Sequence, residues 1–358
     1  MAEKKEVPVL EIARSLGVSP TTVSRALSGN GRVSRETRDR ILTYIEANQI
    51  LPHSRGTNYS SRKSMNIAVV LPKEEEYAQL PYFTNIMLAL YDFFCVYGYH
   101  VLIVRTKDGN IETLKDVVKK HKIDGAVLTR ILDSCEDIQF LKKAGVPFVV
   151  TGSIDDEDVY QADVNQRGGC RELTDILLKK GIRKMALFSA GLRQTVARDR
   201  LNGYLDALRE NDLPIEYDLI VKDTLDINVL EKAVRDILKE QVECVICGDD
   251  GTCLTVLDYF RQLGIKVPRD IRVASFFNSA LLEEANSYIT SIEFDIRKLG
   301  NTAGEMLIRL LNGEPCEKKK VLGYKILIKE STKMEGAVHE GGAVHEGTVH
   351  GGIAVKDR

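Results

Sequence analysis

A short segment from Ser19 to Leu27 carries side chains whose chemistry suits the major groove of DNA. Hydroxyl groups hydrogen-bond to phosphates or base edges, and an arginine can bridge the O6 and N7 atoms of guanine. Val23, Ala26 and Leu27 repeat at the spacing of one inward apolar helix face. The polar residues on the opposite face are Thr21, Thr22, Ser24 and Arg25. The segment is therefore a candidate nucleic-acid interface.

The flanking residues predict two more helices that hold this segment in place. Apolar residues at positions 9, 12, 13 and 16 form one stripe, and Gly17 ends that first helix. Ser19 and Pro20 are a suitable cap and first residue for the second helix, and Ser34 caps a third. Two helices joined by a short turn are typical of a helix-turn-helix, although the same spacing also fits a three-helix protein-interaction bundle.

The sequence IARSLGVSPTTVSRALSGNGRVSRETRDRI, residues 12–41, resembles the head of the LacI/GalR repressor family, most specifically in GVSPTTVSRAL and VSRETRDRI. In that family, the positions that correspond to Pro20, Thr21 and Arg25 touch base edges. The resemblance also implies contacts with the DNA backbone for Ser19, Thr22, Ser24, Ser28 and Arg32.

The segment after the head, residues 51–64, matches the hinge of this family only in part. In the family, a proline precedes a short helix that forms on operator binding and places an apolar wedge in the minor groove. Pro52 matches, whereas Gly56 and Asn58 are poor helix formers, and Tyr59 stands at the wedge position. An aromatic wedge and a flexible linker without a wedge both remain open.

From Met65 onward, apolar runs alternate with amphipathic helical segments. NIAVVLP, HVLIVRT, DGAVLT and PFVVTG read as strands, and the pattern resumes with KMALFSA, LIVKD, CVICGD and IRVASF. Continuously apolar strands separated by helices indicate parallel sheets that are covered on both faces. Two such lobes in series predict an α/β, periplasmic-binding-protein-like body with a ligand cleft at the carboxyl ends of its strands.

The body also resembles the effector domain of the LacI/GalR family, for example in KIDGAVLT, ADVNQRGG, RDRLNGYLDAL and CVICGDDGTCLTVLDYFRQLGIKVPRDIRVASF. The likeness implies that the chain crosses between the lobes three times. One lobe would contain about 65–162 and 292–322, and the other about 163–291 and 323–331. The predicted domains are thus a helix-turn-helix head (1–50), a linker (51–64), a two-lobed body (65–331) and a disordered, Gly-rich tail (332–358).

The same resemblance implies a set of ligand-binding residues. Arg200 corresponds to an arginine that grips ligand hydroxyls or a carboxylate, and Asp250 closes a strand that borders the pocket. An aromatic pair and two strand-end residues complete the set: Tyr82, Phe83, Arg130 and Asp163. Ordinary structural roles remain open, since Arg200 could pair with Asp199 or Glu210, Asp250 could cap a helix, and the aromatic pair could lie in the core.

One departure from the family affects the expected ligand. Where the family usually has Gly-Phe-Asp or Gly-Tyr-Asp, this chain reads Ser275-Phe276-Phe277-Asn278, so Phe277 replaces a principal acidic acceptor. A sugar could still be held through Asn278 or Asp249. The substitution favours a less hydroxylated or more apolar ligand, or an altered pocket.

Composition and charge limit the other functions open to the 358 residues. The chain has no apolar run of the ~20 residues that a membrane span needs and no secretory signal, which predicts a cytoplasmic protein without membrane contact. Residues 1–63 contain 11 Lys and Arg against 6 Asp and Glu, which suits contact with DNA phosphates.

Cys244, Cys247 and Cys253 lack a nearby histidine to complete a zinc site. Nucleotide-binding loops and a nucleophile elbow are absent, so neither a cofactor nor an enzymatic activity is predicted.

The sequence therefore predicts a homodimeric transcription regulator, a repressor, that binds a pseudo-palindromic operator in double-stranded DNA. A small-molecule effector, by resemblance a sugar or sugar derivative, would bind between the lobes and change the affinity for DNA. The alternative is a cytoplasmic solute-binding sensor with an interaction head. Affinity for random DNA that falls steeply with salt would distinguish a regulator from a sensor.

Overall fold

The computed structural model describes residues 5–28, 33–48, 50–53, 63–74, 80–131, 134–189, 194–224, 226–334 and 344–347. The chain divides into two compact units, Met1–Lys63 and Ser64–Arg358. Two residues of the predicted DNA interface, Arg32 and Tyr59, lie outside the described residues.

The described residues of the first unit form three helices and a pair of short parallel strands that the sequence patterns did not predict. Its elements are β1 Lys5–Pro8, α1 Val9–Leu16, α2 Pro20–Ser28, α3 Arg35–Ala47 and β2 Ile50–His53. Ile12, Val23 and Ile41, one from each helix, are fully buried at its centre. The prediction that Leu27 faces inward was wrong: its side chain is 37% exposed, because Ala26 occupies the inward face at this turn of α2.

Side-chain hydrogen bonds fix the turn between α1 and α2. The Ser19 hydroxyl accepts a bond from the backbone N–H of Thr22 at 3.0 Å, which satisfies a donor in the first turn of α2. Arg40 of α3 donates to the carbonyl of Leu16 at 2.7 Å and so holds the end of α1. Gly17, with φ of +62°, supplies the left-handed backbone that the turn requires. Together these contacts set the position of α2 against α1 and α3.

The second unit contains two lobes, each built around one sheet. The strands of the first lobe are β3 Asn66–Pro72, β4 His100–Thr106, β5 Gly125–Leu128, β6 Phe148–Thr151, β7 Tyr160–Asp163 and β13 Lys319–Val321. They form a fully parallel sheet in the order β13-β7-β6-β5-β3-β4. The helices of this lobe are α4 Pro81–Val96, α5 Glu112–Lys119, α6 Glu136–Ala144 and α12 Ile296–Asn312. Every residue of β5 and β6 is buried, as expected for strands covered on both faces.

The strands of the second lobe are β8 Met185–Phe188, β9 Ile220–Val221, β10 Cys244–Cys247, β11 Arg272–Ser275, β12 Thr290–Glu293, β14 Tyr324–Leu327 and β15 Val344–Gly347. Their order is β15-β14-β12-β11-β10-β8-β9, and β14 and β15 run antiparallel to their neighbours. The helices are α7 Gln166–Lys179, α8 Thr195–Glu210, α9 Ile227–Lys239, α10 Asp250–Gln262 and α11 Ala280–Ala285. The predicted disorder of the tail does not hold for β15, because the edge of β14 offers unpaired backbone groups to which a strand can bond.

The chain passes between the lobes three times. It leaves the first sheet after β7, returns from β12 into α12, and leaves again between β13 and β14. Three segments therefore connect the lobes, and those after β7 and β13 are joined by a hydrogen bond from the N–H of Leu322 to the carbonyl of Asp163 at 2.7 Å.

Gly203 allows α7 and α8 to approach each other closely. A Cβ atom at this position would lie 2.4 Å from the carbonyl oxygen of Arg167 and 2.9 Å from the backbone nitrogen of Arg171. Both atoms belong to the backbone of α7, so neither can move aside cheaply.

We expect Gly203→Ala to lower the free energy of unfolding by about 1–3 kcal/mol, because overpacking outweighs the better helix propensity of alanine. Urea denaturation measures the change. Asn202→Ala, one position earlier on α8, is the control and should stay within about 0.5 kcal/mol of the parent. A Gly203→Ala variant at least as stable as the parent would contradict this account of the helix contact.

Candidate functional site

A cleft lies between the two lobes, where the strands of both sheets end. Its wall includes a residue at or just after the carboxyl end of each of five strands: Thr129 (β5), Thr151 (β6), Asp163 (β7), Ser189 (β8) and Gly248 (β10). Eight of the nine predicted ligand-binding residues line this cleft. They are Tyr82, Phe83, Arg130, Asp163, Arg200, Asp249, Asp250 and Phe277.

Arg200 projects from α8 into the cleft and is held by three contacts. Its Nε donates to Gln166 Oε1 at 3.0 Å, and its Nη1 donates to the carbonyl oxygen of Gly248 at 2.5 Å. Its guanidinium carbon lies 5.6 Å from the centre of the Phe277 ring, within range of a cation–π interaction. Arg200 does not pair with Glu210, which bonds to Arg171 instead. The guanidinium is therefore fixed before any ligand arrives.

Aromatic side chains from both lobes meet at the inner end of the cleft. Tyr82 of α4 lies edge to face against Phe277 of the second lobe, with ring centres 6.4 Å apart. On another side, Phe277 stacks with Phe294 at 6.3 Å and an interplanar angle of 18°. The Tyr82 hydroxyl hydrogen-bonds to Thr151 Oγ1 at 3.0 Å, and burial raises the pKa of this tyrosine to about 12. Tyr82 is therefore a neutral hydroxyl at physiological pH.

Three carboxyl groups of the cleft have raised pKa values, and two of them belong to Asp163 and Asp199. Burial is the main cause for Asp163, at the end of β7, and a backbone N–H and Lys319 only partly oppose it. Burial also raises the pKa of Asp199 on α8, and the negative charge of Asp163 raises it further. A cleft residue whose pKa is displaced by burial and a charged neighbour is a candidate for ligand binding.

Asp249 and Asp250 have different roles, although they are adjacent. Asp249 caps α10, since its two oxygens accept bonds from the backbone N–H and the hydroxyl of Thr252 at 2.8 and 3.0 Å. Asp250 Oδ1 accepts from the N–H of Gly251, and its buried Oδ2 has no hydrogen-bond partner among the described residues. Burial raises the pKa of Asp250, although the adjacent Ser279 hydroxyl favours its ionised form. Asp250 is thus the better candidate ligand contact.

Arg130 lines the cleft but is bound to its own lobe. Its Nη1 pairs with Glu74 at 3.0 Å, its Nη2 donates to the carbonyl of Thr106 at 3.1 Å, and its side chain is only 7% exposed. The sequence contained no sign of this pairing, because Glu74 lies 56 positions earlier in the chain.

Asn278 is the predicted ligand residue that the structure places elsewhere. Phe277 points into the cleft, so the next side chain turns away toward a surface cavity beside α4 and α12. There Asn278 Nδ2 donates to Glu283 Oε2 at 3.1 Å.

Several cleft residues were missed by sequence reasoning. Asp199 immediately precedes Arg200 in the quoted RDRLNGYLDAL, and Gln166 lies within the quoted ADVNQRGG, so position alone could have suggested both. Thr151, Ser153 and Gln194 carry no comparable signal, because their approach to the cleft depends on how loops and strand ends pack.

In the head, the polar face of α2 is available to a large partner. Ser19, Pro20, Thr21, Ser24 and Arg25 are exposed within the first unit, and Thr22 is half-buried. The side chain of Ser28 lies outside the described set. The exposed face combines hydroxyls with a cation, the chemistry expected of a helix that reads a major groove.

We expect Asp163→Asn to stabilise the protein at pH 7, because the parent then buries an ionised carboxylate. A raised folded-state pKa favours folding below the ordinary pKa of about 4, and this advantage is lost as the pH rises through the raised value. Urea midpoints from pH 4 to 8 should show a gain for the variant that disappears toward pH 4. A variant that is less stable than the parent at pH 7 would refute the burial penalty.

Asp206→Asn is the control, because its effect on stability at pH 7 should be opposite to that of Asp163→Asn. Asp206 lies on the outer part of α8, and its hydrogen bond from Arg167 at 2.6 Å lowers its pKa. Its contribution to stability is present above the ordinary pKa and is lost as the pH falls through the lowered value. This variant should therefore be slightly less stable than the parent at pH 7.

Within the described residues, no helix combines the length and apolar character required to cross a membrane. The same residues contain no group of three or more His, Cys, Asp and Glu side chains arranged to hold a metal ion.

Comparisons with known proteins agree with both units. Residues 9–49 match the family described as bacterial regulatory proteins, lacI family, and residues 174–332 match the periplasmic binding protein-like domain. Catabolite control protein A of Staphylococcus xylosus is 23% identical over 91% of this chain and 99% of its own length. The HTH-type transcriptional regulator CelR of Thermobifida fusca is 25% identical over 92% and 99%.

A solved structure shares the fold. The complex of the transcriptional regulator CelR with cellobiose has a TM-score of 0.68 and 23% identity, and the alignment covers 91% of this chain and 99% of that one. The predicted α/β architecture, with a helix-turn-helix head and a two-lobed body, is confirmed. A lacI-type head at one end and a periplasmic-binding-protein-like body at the other give this chain the domain organisation of the LacI-family transcriptional regulators that it resembles.

Proposed function

We propose that this regulator is a repressor that binds a two-fold operator as a homodimer, and that a sugar-like effector in the cleft changes its affinity for DNA. The observation that carries the proposal is the composition of the cleft wall, to which both lobes contribute. A ligand that contacts both lobes binds best at one relative position of the lobes, so its binding energy can shift a conformational equilibrium.

The side chains of the cleft suit a hydroxylated ring. Asp163 and Arg200 offer charged hydrogen-bonding groups that can each engage hydroxyls, and Tyr82 supplies an aromatic surface. The related regulator CelR has been solved with cellobiose, which supports a carbohydrate for the present chain. Phe277 adds apolar surface, so the bound ring should also present an apolar face.

The proposal that α2 contacts DNA rests on the exposure and the chemical character of its side chains. Thr21 and Arg25 are exposed on a helix whose other face is packed against the core of the head. Pro20 begins the helix, and the Ser19 cap leaves the first turn rigid. A rigid, polar helix end of this kind fits the recognition helix of a helix-turn-helix.

An apolar surface on the first lobe supports the homodimer. Leu88 and Tyr91, three residues apart on α4, are each 51% exposed, and Val96 at the end of α4 is 84% exposed. Ile103, on the edge strand β4, is 44% exposed. Exposed large apolar side chains on a helix and on the edge strand that it contacts favour a protein interface, and a second copy bound here would bring two heads into one assembly.

We expect Arg25→Ala to weaken binding to an operator by about 1–3 kcal/mol and to relax the base preference at one position of each half-site. The operator is first selected from a random duplex library with the parent protein, and binding is measured by fluorescence anisotropy at several salt concentrations. The comparison is with random DNA of the same length.

Arg14→Ala is the matched control, because Arg14 is an exposed arginine on α1 rather than on α2. It should leave the base preference unchanged. If Arg25→Ala weakened operator and random DNA equally, Arg25 would not read a base. If the parent showed no salt-dependent binding to either DNA, the solute-binding alternative would replace the proposed function.

We expect Tyr91→Glu to convert the dimer to a monomer, because it replaces an exposed aromatic side chain of the proposed interface with a charge. Sedimentation velocity of the full chain measures the change. Tyr217→Glu is the control, since Tyr217 is 69% exposed in the second lobe. A parent that sediments as a monomer, or a Tyr91→Glu variant that remains dimeric, would exclude this surface as the interface.

A further inference from the structure

The described wall of the cleft carries more negative than positive charge. Its ionisable side chains include four aspartates and two arginines: Asp163, Asp199, Asp249, Asp250, Arg130 and Arg200. Whether the cleft accepts an anionic ligand depends on how many of these charges are already engaged within the protein.

Both arginines already donate hydrogen bonds to the protein. Arg130 is paired with Glu74, which offsets its charge, and it also donates to a backbone carbonyl. Arg200 donates through Nε to Gln166 and through Nη1 to the carbonyl of Gly248. A phosphate or carboxylate is usually bound by an arginine through two parallel donors, and the bond to Gln166 takes Nε out of the side-on pair of Arg200.

Three of the four aspartates keep acceptor oxygens for a ligand. Asp249 is the exception, because its oxygens cap α10. Asp250 is 99% buried and, within the described residues, its Oδ2 has no hydrogen-bond partner. Asp163 and Asp199 lie in the same wall, and burial raises the pKa of both. Lys319, whose ammonium is hydrogen-bonded to the cleft residue Ser153, lowers the pKa of both carboxyl groups, but burial outweighs this effect.

A ligand must therefore bring hydrogen-bond donors to this cleft and must not bring negative charge. Hydroxyl groups satisfy carboxylate acceptors, and an ammonium group would also offset their charge. A phosphate ester would add negative charge to a described wall that already contains four aspartates and two arginines, one of them paired with Glu74, and like charges repel most strongly where the site is poorly hydrated.

We propose, on the basis of the proposed effector function, that the effector is a polyhydroxylated molecule without an anionic group. Asp163, Asp199 and Asp250 accept its donors, and Asp199 is a specificity-determining residue that rejects phosphorylated sugars.

Sugars compared with their charged derivatives test the proposal. The full-length protein is titrated by isothermal calorimetry with free sugars (glucose, cellobiose, fructose and ribose), with a phosphate ester of each, and with glucosamine as the cationic member. We expect at least one free sugar to bind and its phosphate ester to bind at least about tenfold more weakly. If glucose binds, glucosamine should bind at least as tightly.

The role of Asp199 is tested with a free sugar and its phosphate ester whose affinities for the parent protein differ. Asp199→Asn removes one charge from the wall, so the ratio of affinities for sugar and phosphate ester should fall several-fold. Asp206→Asn removes the same charge from the same helix outside the cleft and should leave the ratio unchanged. Equal ratios in the parent and Asp199→Asn would exclude Asp199 as a specificity-determining residue.

Two other results would overturn the proposal. A phosphate ester that binds as tightly as its free sugar would show that the cleft accepts anions, and a panel in which no free sugar binds would reject the polyhydroxylated class. Both results are distinguishable from failure of the regulator function, because operator binding by the effector-free protein is measured separately.

Discussion

The parallel direction of the strands that border the cleft in each lobe is the constraint on which the cleft depends. In a parallel sheet every strand ends at the same edge, so residues far apart in the sequence are brought to one line. Asp163 ends β7 in the first lobe and Gly248 follows β10 in the second, yet both contribute to the wall of one cleft. Because three chain segments connect the lobes, these two edges face each other across a common space.

Arg200 shows how the second lobe prepares its side of the cleft. Gln166 at the start of α7, the carbonyl after β10 and the ring of Phe277 after β11 each contact the guanidinium. These three partners come from three different connections, and the close packing of α7 against α8 at Gly203 brings the first of them within reach. A mutation that shifted α8 would therefore move the principal cation of the cleft.

The buried carboxylates of the cleft oppose folding at neutral pH, whereas most acidic groups on the surface do not. Asp206 and Asp175 have lowered pKa values because basic side chains or other hydrogen-bond donors stabilise their ionised forms. Asp163, Asp199 and Asp250 have raised values because burial dominates. Functional sites commonly keep groups that are unfavourable for stability when a ligand needs them.

Local patterns in the sequence determined the three helices of the head and the alternation of strands and helices in the body, because hydrophobic periodicity and capping act over a few residues. The resemblance to family motifs predicted Arg200, Asp163 and Asp250 as ligand-binding residues. Tertiary structure decided which residues share the cleft: it turned Asn278 away, brought Asp199 in, and paired Arg130 with Glu74 across 56 positions. It also added β15 to a sheet edge, since pairing between distant strands depends on which edges remain open rather than on local composition.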